Sequence, residues 1–229
     1  MFGRSRLVRY LRARFRSATA GSKDSPLAQG QVETSQTGTA PAIYIRPDTG
    51  GPVRQTEILT NVIQRRRSLR SLKAEKPELE DVRHPFAVIL TQDCDLEQDF
   101  IDRKNTAAGW SADKLIPNVL LSEAVTSSEL VAALPRGKDI RKRVLQNKDE
   151  RYHVFQKVEA VDDAQGEGLP ALGVDFKRYF TVPTDELYAQ LDSNAKRRTH
   201  FRSPYLEHFA KRFADFQSRV ALPKEHEIQ

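Results

Sequence analysis

The sequence predicts a mainly β domain with helical insertions, an α+β fold in which an SH3-like or other small β-barrel is capped by a C-terminal amphipathic helix. Three observations support this prediction. Short segments that alternate apolar and polar residues recur along the chain, separated by turn-forming residues. One segment, "HPFAVILTQ", is apolar on both faces, which is typical of a central strand. The last long segment spaces its aromatic residues three and four apart, which is the spacing of one helix face.

We expect the domain to span residues 43–223, because large apolar residues become frequent near Ile43. Its first predicted strands, "AIYIRP" and "PVRQTEILTNVIQ", are separated by the turn-forming "DTGG". The charged segment "RRRSLRSLKAEKPELEDVR" predicts a long loop before the central strand, and residues 93–102 predict an acidic loop after it. Later strands are predicted in "LIPNVLLSEAV", "RYHVFQKVEAV" and "ALGVDFKRYFTVP", and two short helices in "SSELVAALPRGKDIRKRVLQNKDE".

The closing helix, predicted over residues 204–220, has the clearest pattern. Ser203 is a natural N-cap residue, and Pro204 suits the first helical position. The apolar stripe of this helix consists of Tyr205, Phe209, Phe213, Phe216 and Val220. Such a stripe predicts packing against the β-structure. Residues 224–229 then form a short tail.

The net charge of +6 is confined to the beginning of the chain. Residues 1–47 contain eight Lys and Arg residues and two acids, whereas residues 48–229 contain 29 of each. Residues 18–42 have almost no large apolar side chains, which predicts a disordered linker. A high isoelectric point normally favours a nucleic-acid partner. Here that argument applies to the leading arm and not to the domain.

The arm, residues 1–17, is acid-free and places Leu7, Leu11 and Phe15 on one face of a helix. Three interpretations of this basic amphipathic arm remain open. It is a solvated tail, a helix that contacts anionic lipid or nucleic-acid surfaces, or an organelle transit segment.

Several classes of protein are disfavoured by what the sequence lacks. No apolar stretch reaches the roughly 18–20 residues that cross a bilayer, and the beginning of the chain lacks the apolar core of a secretory signal. The single cysteine excludes an internal disulfide and a cysteine-only zinc site. These features predict a cytoplasmic protein. Phosphate-loop, dinucleotide-binding and zinc-protease motifs are absent, so we predict no cofactor.

Cys94, the lone cysteine, is the first candidate for chemistry, as a nucleophile. A thiol attacks as its thiolate, and the flanking Asp93 and Asp95 disfavour that charged form. Cys94 would therefore need His84 or His153, brought close by the fold, to lower its pKa. His153 is the better candidate, because a predicted strand carries it.

Two other interpretations of this segment stay open. Asp93 and Asp95, at the end of a central strand, are suited to hold Mg²⁺ with retained waters, although no further spaced carboxylates complete a metal site. Alternatively, Cys94 is a small buried hydrophobe, and Asp93 and Asp95 hydrogen-bond the backbone in a turn.

Two clusters of basic residues are candidates for binding a nucleic-acid backbone. A site that binds phosphates requires cations, and a site for single strands also offers aromatic rings on which bases stack. Phe201 and Tyr205 follow the second basic cluster in the sequence. The predicted phosphate ligands are Arg65, Arg66, Arg67, Lys196, Arg197 and Arg198. A further pair, Asp175 with Arg219, is predicted to be a buried structural ion pair.

Residues 52–223 resemble a group of uncharacterised bacterial proteins that share a T/S-Q-x-C-D-L/I segment, here "TQDCDL", and an ending similar to "SPYLEHFAKRFADFQSRVALP". The order of segments also looks loosely like the MazF/PemK-like toxin barrel, an SH3-like β-structure that cleaves RNA. "TEIL" and "HPFAVILT" occupy the places of that family's first two strand motifs, with His84 where an arginine precedes the proline.

The resemblance implies a nucleic-acid-related protein of the toxin-like barrel type, either an RNase or a non-catalytic relative, with RNA or DNA as partner. Two alternatives stay open. One is a non-enzymatic regulatory module whose acidic 93–102 loop meets a basic protein. The other is a hydrolase that depends on Cys94 or on a metal.

Overall fold

The computed structural model of the chain describes residues 42–68, 71, 75–76, 78–104, 113 and 115–219. The predicted arm, most of the predicted linker and the tail lie outside these residues. The described part forms a seven-stranded antiparallel sheet, curled into a half-barrel, with five α-helices. This confirms the prediction of a mainly β fold with helical insertions.

The strands in chain order are β1 (Tyr44–Ile45), β2 (Ile58–Arg67), β3 (Leu79–Ile89), β4 (Asn118–Thr126), β5 (Tyr152–Phe155), β6 (Leu172–Pro183) and β7 (Lys196–Phe201). The helices are α1 (Asp93–Arg103), α2 (Ser127–Ala133), α3 (Lys138–Leu145), α4 (Thr184–Leu191) and α5 (Tyr205–Gln217), and a short 3₁₀ helix covers Ala160–Asp162. The order of strands across the sheet is β1-β7-β2-β3-β4-β6-β5. Most of the segment predicted as central, residues 84–89, therefore lies in β3, the middle strand, which ends before Leu90.

The two faces of the sheet are covered by different helices. On one face, Phe209 and Phe216 of α5 are buried with strand residues such as Phe155 and Phe176. On the other face, Leu96 of α1 and Leu187 of α4 pack against an apolar cluster from the central strands. Both faces of the central strands are thus buried, which explains why their sequence shows an apolar run and little alternation.

The prediction of an acidic loop over residues 93–102 is wrong, because these residues lie in α1. Asp93 and Asp95 occupy the first helical turn, where the helix dipole favours negative charge. Asp99 and Asp102 are buried. Asp99 accepts hydrogen bonds from the Arg103 guanidinium at 2.6 Å and from the amide of Ile116 at 2.6 Å. Two of the five acidic side chains in residues 93–102 are therefore internal.

The outer edge of β2 is only partly paired. β7 pairs with Ile58–Thr60 and then diverges, where Asn61 adopts a positive φ of 60°. Beyond that point the side chain of Gln190, from α4, takes the place of a strand. Its amide oxygen accepts from the backbone N–H of Ile63 at 2.8 Å, and its amide nitrogen donates to the Ile63 carbonyl at 2.8 Å.

Candidate functional site

Cys94 lies in the first turn of α1, and its side chain is exposed. Among the described residues its Sγ has two hydrogen-bond partners, Gln92 Oε1 at 3.9 Å and Asp95 Oδ1 at 3.6 Å. Desolvation and the neighbouring Asp95 carboxylate raise the pKa of the thiol. This environment lowers the fraction of thiolate at neutral pH, so it works against a nucleophilic role.

The structure does not bring either candidate histidine to Cys94. His84 lies in β3, five residues before Ile89, about 17 Å along the strand. Its ring stacks on Phe180 at 3.9 Å and contacts Gln64. His153 lies in β5, three strands away from β3, among Phe155, Phe201 and Phe209. A Cys–His pair is therefore not assembled.

The carboxylate of Asp93 is already occupied by hydrogen bonds from other parts of the protein. It accepts hydrogen bonds from the Arg54 guanidinium and, at 3.0 Å, from the amide of Gln55. Glu97 lies on the same arginine at 3.8 Å. Within the part of the chain that the structure describes, no three His, Cys, Asp or Glu side chains are grouped as ligands of one metal ion. Asp93 instead joins the start of α1 to the segment before β2.

We expect Cys94→Ser to leave thermal stability unchanged, because the side chain is exposed and makes only weak contacts.

We also expect the native thiol to react with iodoacetamide more slowly at pH 7 than a free cysteine, because its pKa is raised. The rate measured against pH checks both the direction and its cause. If the native thiol reacts with iodoacetamide faster than free cysteine at pH 7, a nucleophilic role for Cys94 is supported after all.

The basic run Lys196–Arg198 has a different role from the one predicted. It forms the start of β7, and Arg197 and Arg198 are buried at 6% and 7% exposure. The Arg197 guanidinium binds the buried Glu57 carboxylate through both oxygens. This geometry argues against Arg197 as a phosphate ligand, because its charge is already neutralised inside the protein.

Arg198 is held in the same way on its own side of β7. Its guanidinium binds both oxygens of Asp163, at 2.8 and 2.7 Å. Asp163 also accepts from the amides of Gln165, Glu167 and Gly168, so it organises the turn before β6. These contacts hold the pKa of Asp163 at about 2, despite the opposing cost of burial. Arg198 is thus a structural residue here.

The other predicted basic cluster lies on β2 and not in a loop. Arg65 pairs with Asp81 at 2.9 Å, and Arg66 pairs with Glu80 at 2.8 Å, both across the β2–β3 ladder. Arg67 is exposed. The predicted Asp175–Arg219 pair is wrong, because Asp175 binds Arg151 and the Arg219 guanidinium lies 3.9 Å over the Phe216 ring.

Lys196 is the one predicted phosphate ligand of β7 that is exposed, and it lines an open groove of about 500 Å³. We call this the lysine groove; its other walls include Thr49–Gly51, Phe100, Lys104 and Tyr188. The Phe100 and Tyr188 rings lie 6.2 Å apart, and the Lys104 ammonium lies 3.8 Å from the Phe100 centroid. Neither lysine has an ion pair with another described residue.

Phe100, Lys104 and Tyr188 were not identified from the sequence. Phe100 and Lys104 are four residues apart, so they share one face of a helix. The acidic composition of residues 93–102 obscures this helical spacing in the sequence.

A second cavity, of about 170 Å³, contains His153. We call it the seam pocket, because it lies where the two edge strands of the curled sheet approach each other. Tyr44 of β1 lines it together with His153 and Val154 of β5, and the Tyr44 hydroxyl donates to the carbonyl of Gln156 at 2.7 Å.

No family model, no curated protein and no solved structure matches this chain. Functional assignment therefore depends on the chemistry of the cavities, among them the lysine groove and the seam pocket. Among the described residues, no helix is long and apolar enough to cross a membrane.

Proposed function

We propose that this protein binds single-stranded nucleic acid, with RNA as the expected ligand, through the lysine groove. The observation that carries the proposal is the combination of Lys104 and Lys196, without ion pairs to described residues, with the rings of Phe100 and Tyr188 in one open groove. Ammonium groups attract phosphates, and aromatic rings accept unstacked bases. A single strand offers both groups at short spacing, whereas a duplex hides its base faces.

The groove also contains a carboxylate that opposes this binding. Asp192, which follows α4, is exposed on the same rim. Its charge lowers the attraction for phosphate, so the groove is expected to bind weakly in the native protein. This feature is useful, because removing the carboxylate is expected to strengthen binding.

We further propose that the domain is a non-cleaving relative of the toxin-like barrel, with an SH3-like core capped by α5. The curled antiparallel sheet and the packing of Phe209 and Phe216 beneath it support this likeness. Binding without cleavage is favoured because Cys94 has no described histidine partner and burial lowers the pKa of His153 to about 3. A histidine of that pKa is a poor acid or base at neutral pH.

Salt-dependent binding to fluorescent oligo(U) tests the groove. We expect Lys196→Gln or Lys104→Gln in the full chain to weaken binding for all sequences and to reduce the salt slope by about 0.7 each, the value for one lost phosphate contact on a single strand. Asp192→Asn is expected to tighten binding. Oligo(dT) and an RNA duplex serve as the other arms, and the duplex is expected to bind most weakly.

Lys177→Gln is the matched control, because Lys177 is an exposed lysine of β6 outside the groove. It changes net charge by the same amount and should leave the slope unchanged. The basic arm is present in every variant, so differences among them report the groove. If Lys104, Lys196 and Asp192 variants all bind as the native chain does, while arginine substitutions in residues 1–17 abolish binding, the groove proposal fails.

A further inference from the structure

The seam pocket is built from parts of the chain that are far apart in sequence. Phe201 of β7 and Tyr44 of β1 form one wall, and their rings stack with centroids 5.4 Å apart. Tyr205 and His208 of α5 form another wall, and β5 supplies His153. Arg212 of α5 donates to the carbonyls of Asn147, Asp149 and Tyr152, and these bonds fix the chain that leads into β5. The pocket is thus held from several sides.

His153 is a polar residue in an aromatic environment. It is 4% exposed, and its ring lies 4.9 Å from both Phe155 and Phe209, edge to face. Its Nδ1 is buried without a hydrogen-bond partner. A phenylalanine would fill this aromatic cluster without the cost of an unsatisfied polar atom. A histidine here therefore needs a reason other than packing.

The position of its proton follows from the surroundings. Burial, with Arg212 and His208 nearby, lowers the pKa of His153 to about 3, so the ring is neutral at physiological pH and carries one N–H. A buried N–H without an acceptor is less tolerable than a buried lone pair. The proton therefore belongs on Nε2, the nitrogen left to face the pocket, where His153 offers one donor.

The other walls favour a flat ligand with a polar edge. Tyr205 offers a half-buried ring, whereas the Phe201 ring is already stacked on Tyr44 and on Phe155. The side chains of Gln156 and His208 make no hydrogen bond to another described residue. The Asn147 amide is already used, since it binds the backbone of Val154 at 2.7 and 2.9 Å. A volume of about 170 Å³ has room for about six water-sized groups at ~30 Å³ each. That volume accommodates a six-membered ring together with its polar substituents.

We propose that the seam pocket binds one uncharged pyrimidine ring, with a carbonyl or ring-nitrogen acceptor of the ring taking the hydrogen bond from His153 Nε2. The ring comes either from a free nucleoside or from a base of a bound single strand. The second source rests on the proposed function. The groove lies on the face covered by α1 and α4 and the pocket on the face covered by α5, so a single strand that fills both cavities must pass around the edge of the sheet.

Uridine is the probe that separates the two proposals, because it has no phosphate. We expect millimolar uridine to shift the ¹⁵N resonance of His153 Nε2 in the full chain, equally at 50 and 300 mM salt and equally in Lys196→Gln. Adenosine is expected to bind more weakly, because a purine is larger than the single ring proposed for this pocket. When binding is followed by calorimetry, His153→Phe should abolish the binding of uridine while the protein stays folded, and His153→Gln, which keeps a donor, should restore part of it.

His84→Phe is the matched control, because His84 is also buried, stacked on an aromatic ring and unpartnered at Nδ1. It should leave the binding of uridine unchanged. The pocket proposal is overturned if uridine leaves the His153 resonances unmoved, or if adenosine binds as well as uridine. If uridine binds but the groove variants do not alter oligo(U) binding, the pocket takes a free nucleoside and the groove proposal alone fails.

Discussion

Glu57→Gln is expected to lower the free energy of unfolding by about 3–5 kcal/mol, the usual cost of removing one partner from a buried ion pair. Glu57 is fully buried, and both its oxygens bind Arg197. The amide keeps the volume of the side chain but leaves the guanidinium charge without a counter-charge. Urea unfolding followed by circular dichroism measures the change.

Arg197 also donates to the carbonyls of Asp48, Gly51 and Pro52, so it ties the loop before β2 to β7. Replacing both members of the pair with leucine should therefore remain destabilising, since those carbonyls lose their donor. Asp81→Asn is the surface control, because both members of the Arg65–Asp81 pair are about half exposed. It should change stability little. A Glu57→Gln variant as stable as the native chain would show that the three carbonyl contacts suffice.

His153→Phe is expected to make the protein less sensitive to mild acid. In the unfolded chain this histidine takes up a proton near pH 6.5, whereas burial keeps its folded pKa at about 3. The unfolded state therefore binds more protons in that window, and stability falls as pH falls. Between pH 7 and pH 5 the native chain should lose about 2 kcal/mol through His153, a loss that the variant escapes.

The window above pH 5 avoids the carboxylates of ion pairs such as Asp163, which lose their charge at lower pH. His84→Phe gives the comparison, because burial also lowers the pKa of His84, but less of that ring is enclosed. It should remove a smaller part of the acid sensitivity. If unfolding free energies of His153→Phe fall with pH as steeply as those of the native chain, His153 is not the neutral buried group described above.

Local patterns in the sequence predict a strand correctly where both of its faces are buried. The apolar segment around Ala87 to Ile89 predicts the central strand, because a strand covered on both faces has no polar positions. α1 was missed because its buried face includes Asp99 and Asp102, which look solvent-exposed in a sequence. The partners of Asp99 are Arg103 and Ile116, that of Asp102 is Gln98, and these contacts become apparent only when the chain folds.

The sites were harder to predict, because their groups come from distant segments. Arg197 and Glu57 are 140 residues apart, so the sequence does not show that the charge of Arg197 is neutralised by a buried carboxylate. His153 was identified as a candidate, but its partners were expected near Cys94, and the structure surrounds it with Tyr44, Phe201 and His208. Strand order and sheet curl, which bring β1 beside β5, are not encoded in any local pattern.

The edges of the sheet have a consequence for self-association. Its two outermost strands are short, two residues in β1 and four in β5, and the Gln190 side chain bonds the unpaired stretch of β2 at Ile63. Long open edges recruit strands from other molecules, and short or covered edges give such strands little to pair with. A half-barrel exposes more backbone than a closed barrel, and this chain limits the risk of aggregation without closing the sheet.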